Sequence, residues 1–134
     1  MEERYLFKAK RVDNGEWVQG FLARYIPNCE CANIVNDFDI LVPVKADTIC
    51  QCTGLKDKNG KLMWENDILV GHLDDDFPED TTYTMVVWHN NGFYTKEQGS
   101  EDVLAIDEFD QEHFEVCGNR FDNPELMGVE HDTD

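Results

Sequence analysis

Apolar and polar residues alternate with a period of two along the first part of the chain. Tyr5 to Val12 is the first β-prone run, and Glu16 to Tyr25 sets Trp17, Gln19 and Phe21 against Val18, Gly20 and Leu22. Asp13-Asn14-Gly15 between them predicts a tight hairpin, because Asn and Gly tolerate the positive φ of such turns. Ile26 to Asp39, with Pro27 and several Asn, reads as a loop holding at most a short strand at Asn33 to Val35. Phe38 to Val44 and Thr48 to Thr53 are further strands. Thr53-Gly54-Leu55, a solvated turn from Lys56 to Lys61 and Leu62-Met63-Trp64 make a second hairpin. Glu65-Asn66-Asp67 bends the chain into Ile68-Leu69-Val70, and an acidic loop from Asp74 to Asp80 leads to a strand at Tyr83 to Trp88. His89 to Gly92 turns this onto Phe93-Tyr94-Thr95. Val103 to Phe109 and Phe114 to Cys117 are shorter strand candidates, with a helical turn within Gln98 to Phe109 as the alternative. Asn123-Pro124 has the form of a helix N-cap followed by Pro at the first position, predicting one helical turn and then an acidic tail.

Short strands, tight turns and the lack of a long amphipathic helix predict a mainly β fold: hairpins forming a compact small barrel of SH3-like pattern with a short C-terminal helical turn. A length of 134 residues fits one compact domain over 1–127, followed by a tail at 128–134.

Charge changes this picture. The formal net charge is −18, from 11 basic and 29 acidic groups. Residues 1–61 are neutral, and the excess lies in 62–134, where 20 acidic groups face only Lys96 and Arg120. Phosphate affinity depends on Lys and Arg, so direct nucleic-acid binding and anionic membranes are disfavoured. Unlike halves suggest head-to-tail assembly or a basic protein partner for residues 62–134, such as a nucleic-acid-binding protein inhibited by an acidic mimic. The bland alternative is a solubility device. Exposed strand edges also need covering, and surplus acidic charge or pairing between subunits as a homo-oligomer are two routes to that protection. With no apolar run of membrane-spanning length and no apolar signal core near Met1, the expected location is the cytoplasm.

Candidate chemistry is sparse. Nucleotide-binding glycine motifs and the paired-histidine zinc motif are missing, and Ser100, the single serine, lies in a polar run unlike a nucleophile elbow. Cys29 with Cys31 and Cys50 with Cys52 place thiols on alternate positions, a pattern that serves either a four-thiolate zinc site or ordinary core packing. The odd fifth thiol, Cys117, argues against a disulfide framework. Asp74, Asp75, Asp76, Glu79 and Asp80 lack the Gly and Glu of a calcium loop, since the sixth and twelfth places hold Glu79 and Met85. His72, His89, His113 and His131 are scattered. Asp107, Glu108 and Asp110 near His113 contain carboxylates suited to acid–base work, but such pairs arise by chance in so acidic a segment. Trp17, Trp64, Trp88 and Phe93 form either a binding patch or core. No catalytic, cofactor or metal residue is assigned, and no cofactor is expected.

Three segments resemble the YopX family of phage and prophage proteins. They are Thr48 to Lys61 followed by Trp64-Glu65-Asn66-Asp67-Ile68, the closing run Glu115 to Met127, and the opening Phe7 to Arg11 with Asn14 to Gly20. In this resemblance Cys52 stands where an aromatic is usual, Asn66 where Gly is usual, and Cys117 where a β-branched residue is usual. Apolar places filled by Cys favour buried thiols, and Asn66 is still able to take the left-handed conformation. The resemblance implies a mainly β, self-associating protein of small-barrel character, a homo-oligomer, with no established catalytic activity and no active site to carry over. Thr53-Gly54-Leu55, Asn59-Gly60, Asp67, Gly118-Asn119 and Asn123-Pro124 read as turn, cap and bend residues.

Overall fold

The computed structural model describes residues 5–26, 31–72, 81–90 and 92–128. Its strands are β1 (Phe7–Lys10), β2 (Trp17–Ile26), β3 (Cys31–Val35), β4 (Leu41–Lys45), β5 (Cys50–Lys56), β6 (Leu62–Trp64), β7 (Asp67–His72), β8 (Thr81–His89), β9 (Gly92–Glu97), β10 (Val103–Ala105) and β11 (Phe114–Asn119). One short helix, α1 (Glu108–His113), precedes β11, and 3₁₀ turns occupy Ala46–Thr48 and Pro124–Met127. The strands form two antiparallel sheets, ordered β4-β3-β2-β1-β5-β6 and β10-β9-β8-β7-β11. The chain divides into compact units at 1–54 and 55–134.

In the first unit the alternation along β2 decides which side faces inward. Leu22, Ile34 and Val42 are cross-strand partners on β2, β3 and β4, and they pack with Ala9, Ala32, Val44, Phe7 and Val18. Gly20, opposite Phe7 on β1, lets β3 approach: a Cβ there would collide with the Val35 carbonyl oxygen. The expected short strand therefore exists and runs from Cys31 to Val35. Arg11 bridges to Val44, and the Val12 amide donates to the Pro43 carbonyl (3.1 Å). This draws the end of β1 against β4 without a continuous ladder.

The second unit contains the meander β7-β8-β9, packed around Met63, Leu69, Val86 and Phe114. Asn66 adopts φ 73°, the left-handed conformation expected of it. The Asp67 carboxylate accepts from the Trp64 amide (2.8 Å), fixing the bend. The sheet ends in β10 and β11 on opposite sides, so the strands make an open sheet where the sequence pattern suggested an SH3-like barrel. The physical reason is that β7 takes β11 as its outer neighbour, leaving β10 paired to β9 alone among the described strands. The helical residues are Glu108 to His113, which overlap the 98–109 window only at Glu108 and Phe109 and continue past it. Asn123 makes no side-chain cap on the last turn; its Oδ1 accepts from the Asn119 amide instead (3.2 Å). The acidic loop at 74–80, Cys29 and His131 lie outside the described residues.

Candidate interaction surface and acid-lined cavity

The Lys56 to Lys61 turn is held by a buried carboxylate. Asp57, 6% exposed, accepts on Oδ1 from the amides of Asn59 and Lys61 (both 2.9 Å) and on Oδ2 from the amide of Val116 on β11 (2.8 Å). The Lys58 amide adds a bond to the Phe114 carbonyl (3.0 Å). The turn thus covers the outer edge of β11 and is not simply solvated as its composition suggested. Lysine neighbours conceal that role in the sequence.

On the first unit, one register place from the inward row, Phe21, Val35 and Leu41 form a cross-strand row on the opposite face. Phe21 and Leu41 are exposed, as are Phe38 (81%) and Ile40 at the β3–β4 turn. Asn36 fixes that turn, its Oδ1 accepting from the amides of Phe38 (2.9 Å) and Ile40 (3.1 Å). The apolar tip is therefore held in place by backbone bonds. An Asn beginning Asn36-Asp37 was the available signal for such a side-chain-to-backbone turn.

On the second unit a cavity of about 210 Å³ opens beside α1. Thr84 of β8 and Thr95 of β9 line it with Leu104 and Phe114, and Glu97, Ser100, Asp102 and Asp110 supply the polar wall. Burial pushes the Asp110 carboxyl up, and neighbouring Asp107 adds to the effect. Asp107 and Asp110 also form a reciprocal capping box, each carboxylate accepting the other's amide at 3.1 Å. Two of the carboxylates considered for acid–base work are therefore engaged in starting a helix. His113 donates from Nδ1 to the Phe109 carbonyl (3.0 Å) and stacks on Phe109. His89 meets Tyr94 edge-on. A second, apolar hollow of about 160 Å³ lies among Ile68, Met85, Arg120, Pro124 and Met127.

Cys50 and Cys52 share one buried face of β5, and the Cys50 thiol donates to the Thr48 carbonyl (3.4 Å). Cys31 begins β3, which β2 and β1 separate from β5, three interstrand spacings or about 14 Å along the sheet. Among the described residues no group of three or more His, Cys, Asp or Glu is placed to hold a metal. Cys117 is exposed, unlike the apolar place it occupies in the family pattern. It is the extra residue of a bulge, where the ladder shifts between Val116 and Gly118. Partial burial and Glu115 raise its thiol pKa.

The aromatic residues divide. Trp64 is buried, Phe93 packs against the second core, Trp88 is exposed with its ring edge-on to Phe93, and Trp17 lies beneath the ammonium groups of Lys8 (4.9 Å) and Lys10 (5.5 Å).

Two open antiparallel sheets, hairpins fastened by Asx-type bonds and a buried aspartate closing a strand edge define a mainly β protein whose distinctive residues serve its turns. The YopX protein family model matches residues 6–128, and the chain belongs to the YopX family. The crystal structure of protein EF1440 from Enterococcus faecalis is similar in fold, with a TM-score of 0.55 and 22% sequence identity over 90% of this chain and 96% of that one. No curated protein matches the chain. No helix among the described residues is long and apolar enough to cross a membrane.

Proposed function

We propose that the chain is a non-enzymatic accessory protein of phage or prophage origin, a protein-interaction module that self-associates through the outer face of its first unit. The observation that carries this reading is the cross-strand row Phe21, half-buried Val35 and Leu41, exposed at Phe21 and Leu41, with exposed Phe38 and Ile40 on the turn that Asn36 fixes beside it. A second copy is the occupant because residues 1–54 carry 8 acidic and 6 basic groups, whereas 55–134 carry 21 acidic and 5 basic. Two first units approach with little repulsion; two second units do not. An isologous pairing presents the same patch from both copies. Sedimentation analysis of the full chain is expected to show a dimer or larger species that dissociates on dilution. Leu41→Asp should leave a 15.5 kDa monomer with unchanged thermal stability. A wild-type monomer at every concentration would overturn the reading.

A second reading, a basic protein partner held by residues 62–134, draws on the charge step falling close to the boundary between the units. It requires binding to a basic protein that is released by salt and by competing duplex DNA.

A further inference from the structure

Three buried threonines are informative by contrast. Thr48 is fully served: its Oγ1 accepts from the Lys10 amide (2.9 Å) and donates to the Lys45 carbonyl (2.7 Å). Thr95, 5% exposed, has one long bond to the Leu104 carbonyl (3.4 Å). Thr84, 8% exposed, has no side-chain partner among the described residues, and it lines the cavity beside α1. Leaving a buried hydroxyl unpaired costs about 1–3 kcal/mol, so such a group calls for an explanation.

The rest of the wall indicates what would satisfy it. Glu97, Asp102 and Asp110 contribute carboxylates from β9, the following turn and α1, while no Lys, Arg or His among the described residues lines the cavity. Lys96 alternates with Glu97 along β9 and so belongs to its other face. Leu104 and Phe114 add apolar surface. At the volume of liquid water, about 210 Å³ holds about seven non-hydrogen atoms. An aminoalkyl chain of lysine length fits this space. An ammonium head carries three donors that reach hydroxyl and carboxylate acceptors from different directions, whereas a planar guanidinium favours one bidentate carboxylate. The carboxylates surround the space without the close convergence that a metal requires.

We propose that this cavity is a binding site for an alkylammonium group, with the stem against Leu104 and Phe114 and the head received by Thr84, Thr95 and the acidic wall. The group belongs either to a free diamine or to a lysine side chain of another protein, and the chemistry is shared. Desolvation of Asp110 supports the site, because a bound cation would relieve the cost of charging that carboxyl.

The test is an amide NMR titration of the full chain with 1,5-diaminopentane, with N-acetyl-lysine methylamide, and with 1,5-pentanediol and sodium chloride as controls. Saturable shifts confined to residues around Thr84, Thr95, Glu97 to Leu104 and Asp110 are expected with an amine and not with the controls. Saturation by the diamine alone points to a small-molecule source; saturation by the lysine amide points to a protein side chain. Thr84→Val removes only the unpaired hydroxyl, should fold at least as stably, and should weaken amine binding about tenfold. Glu97→Gln should weaken it as well, without affecting the capping box. The proposal is overturned by the absence of saturable shifts up to about 10 mM amine, by equal shifts with pentanediol, or by undiminished binding in both variants.

Discussion

Asp57 joins a hairpin turn to a strand 59 residues away through its two carboxylate oxygens. Asp57→Asn preserves a carbonyl oxygen for the amides of Asn59 and Lys61 but brings an NH₂ donor against the Val116 amide. Hydrogen bonds to a charged, buried partner are worth about 1.5–3 kcal/mol, so the variant should lose about 2 kcal/mol in urea unfolding. Hydrogen exchange at Val116 should accelerate while the turn amides remain protected. Unchanged exchange at Val116 would show that the Asp57 carboxylate does not hold β11. Asn66 offers a backbone test at the same scale. At φ 73° an alanine is strained and a glycine is not, so Asn66→Gly should unfold about 1 kcal/mol later than Asn66→Ala. Equal stabilities would mean that the bend moves out of the left-handed conformation when the Asn side chain is removed.

At the scale of elements, α1 depends on its first turn, because six residues make too few internal bonds to hold a helix alone. Asp110 both closes the capping box and faces the cavity with Glu97 and Asp102. Its pKa is raised above the ordinary 3.8 by burial and by Asp107. On acidification the folded chain therefore takes up this proton before the unfolded chain does. The group adds stability as the pH falls through its folded pKa toward 3.8 and loses that contribution as the pH rises again. Asp110→Asn keeps an acceptor for the Asp107 amide and removes the titration. The gain in melting temperature between about pH 6.5 and about pH 4 should be smaller in this variant than in the wild type, and equal gains would refute the assignment.

The same element shows what the sequence could and could not disclose. Asn14-Gly15 and Asn59-Gly60 marked their hairpins because Gly15 and Gly60 take the left-handed φ (76° and 82°) that few other residues tolerate. β3 was reduced to three residues by the neighbouring Pro27 and Asn residues, although its inward Ile34 is among the most buried side chains. α1 lacks the apolar periodicity of an amphipathic helix, and its capping pair, Asp107 and Asp110, looks in the sequence like any two acids of an acidic segment. The cavity was still less accessible: Thr84, Glu97, Asp102 and Asp110 come from separate elements, and nothing in their spacing brings them together. Cys117 misled because a bulge, which shifts side-chain alternation by one place, carries no reliable pattern in the sequence.

For the whole molecule, the question is how copies associate given a charge of −18. Strand addition is poorly served by the described edges. The turn at Asp57 and Lys58 occupies the outer side of β11, Val12 reaches Pro43 on β4, and β6 and β10 are three residues each. Blocked and short edges resist pairing with another chain, leaving sheet faces as the available contacts. The apolar face of the first unit and a head-to-tail contact between the neutral and acidic halves make opposite demands on salt. In the first case salt screens repulsion between the acidic units while leaving apolar contact intact, so association should tighten between about 20 mM and about 500 mM sodium chloride. In the second, attraction between unlike regions is itself screened, and association should weaken. Sedimentation across that range is expected to show a falling dissociation constant, with Leu41→Asp monomeric throughout. A constant that rises with salt would place the contact in the charge step and remove the apolar row from the assembly.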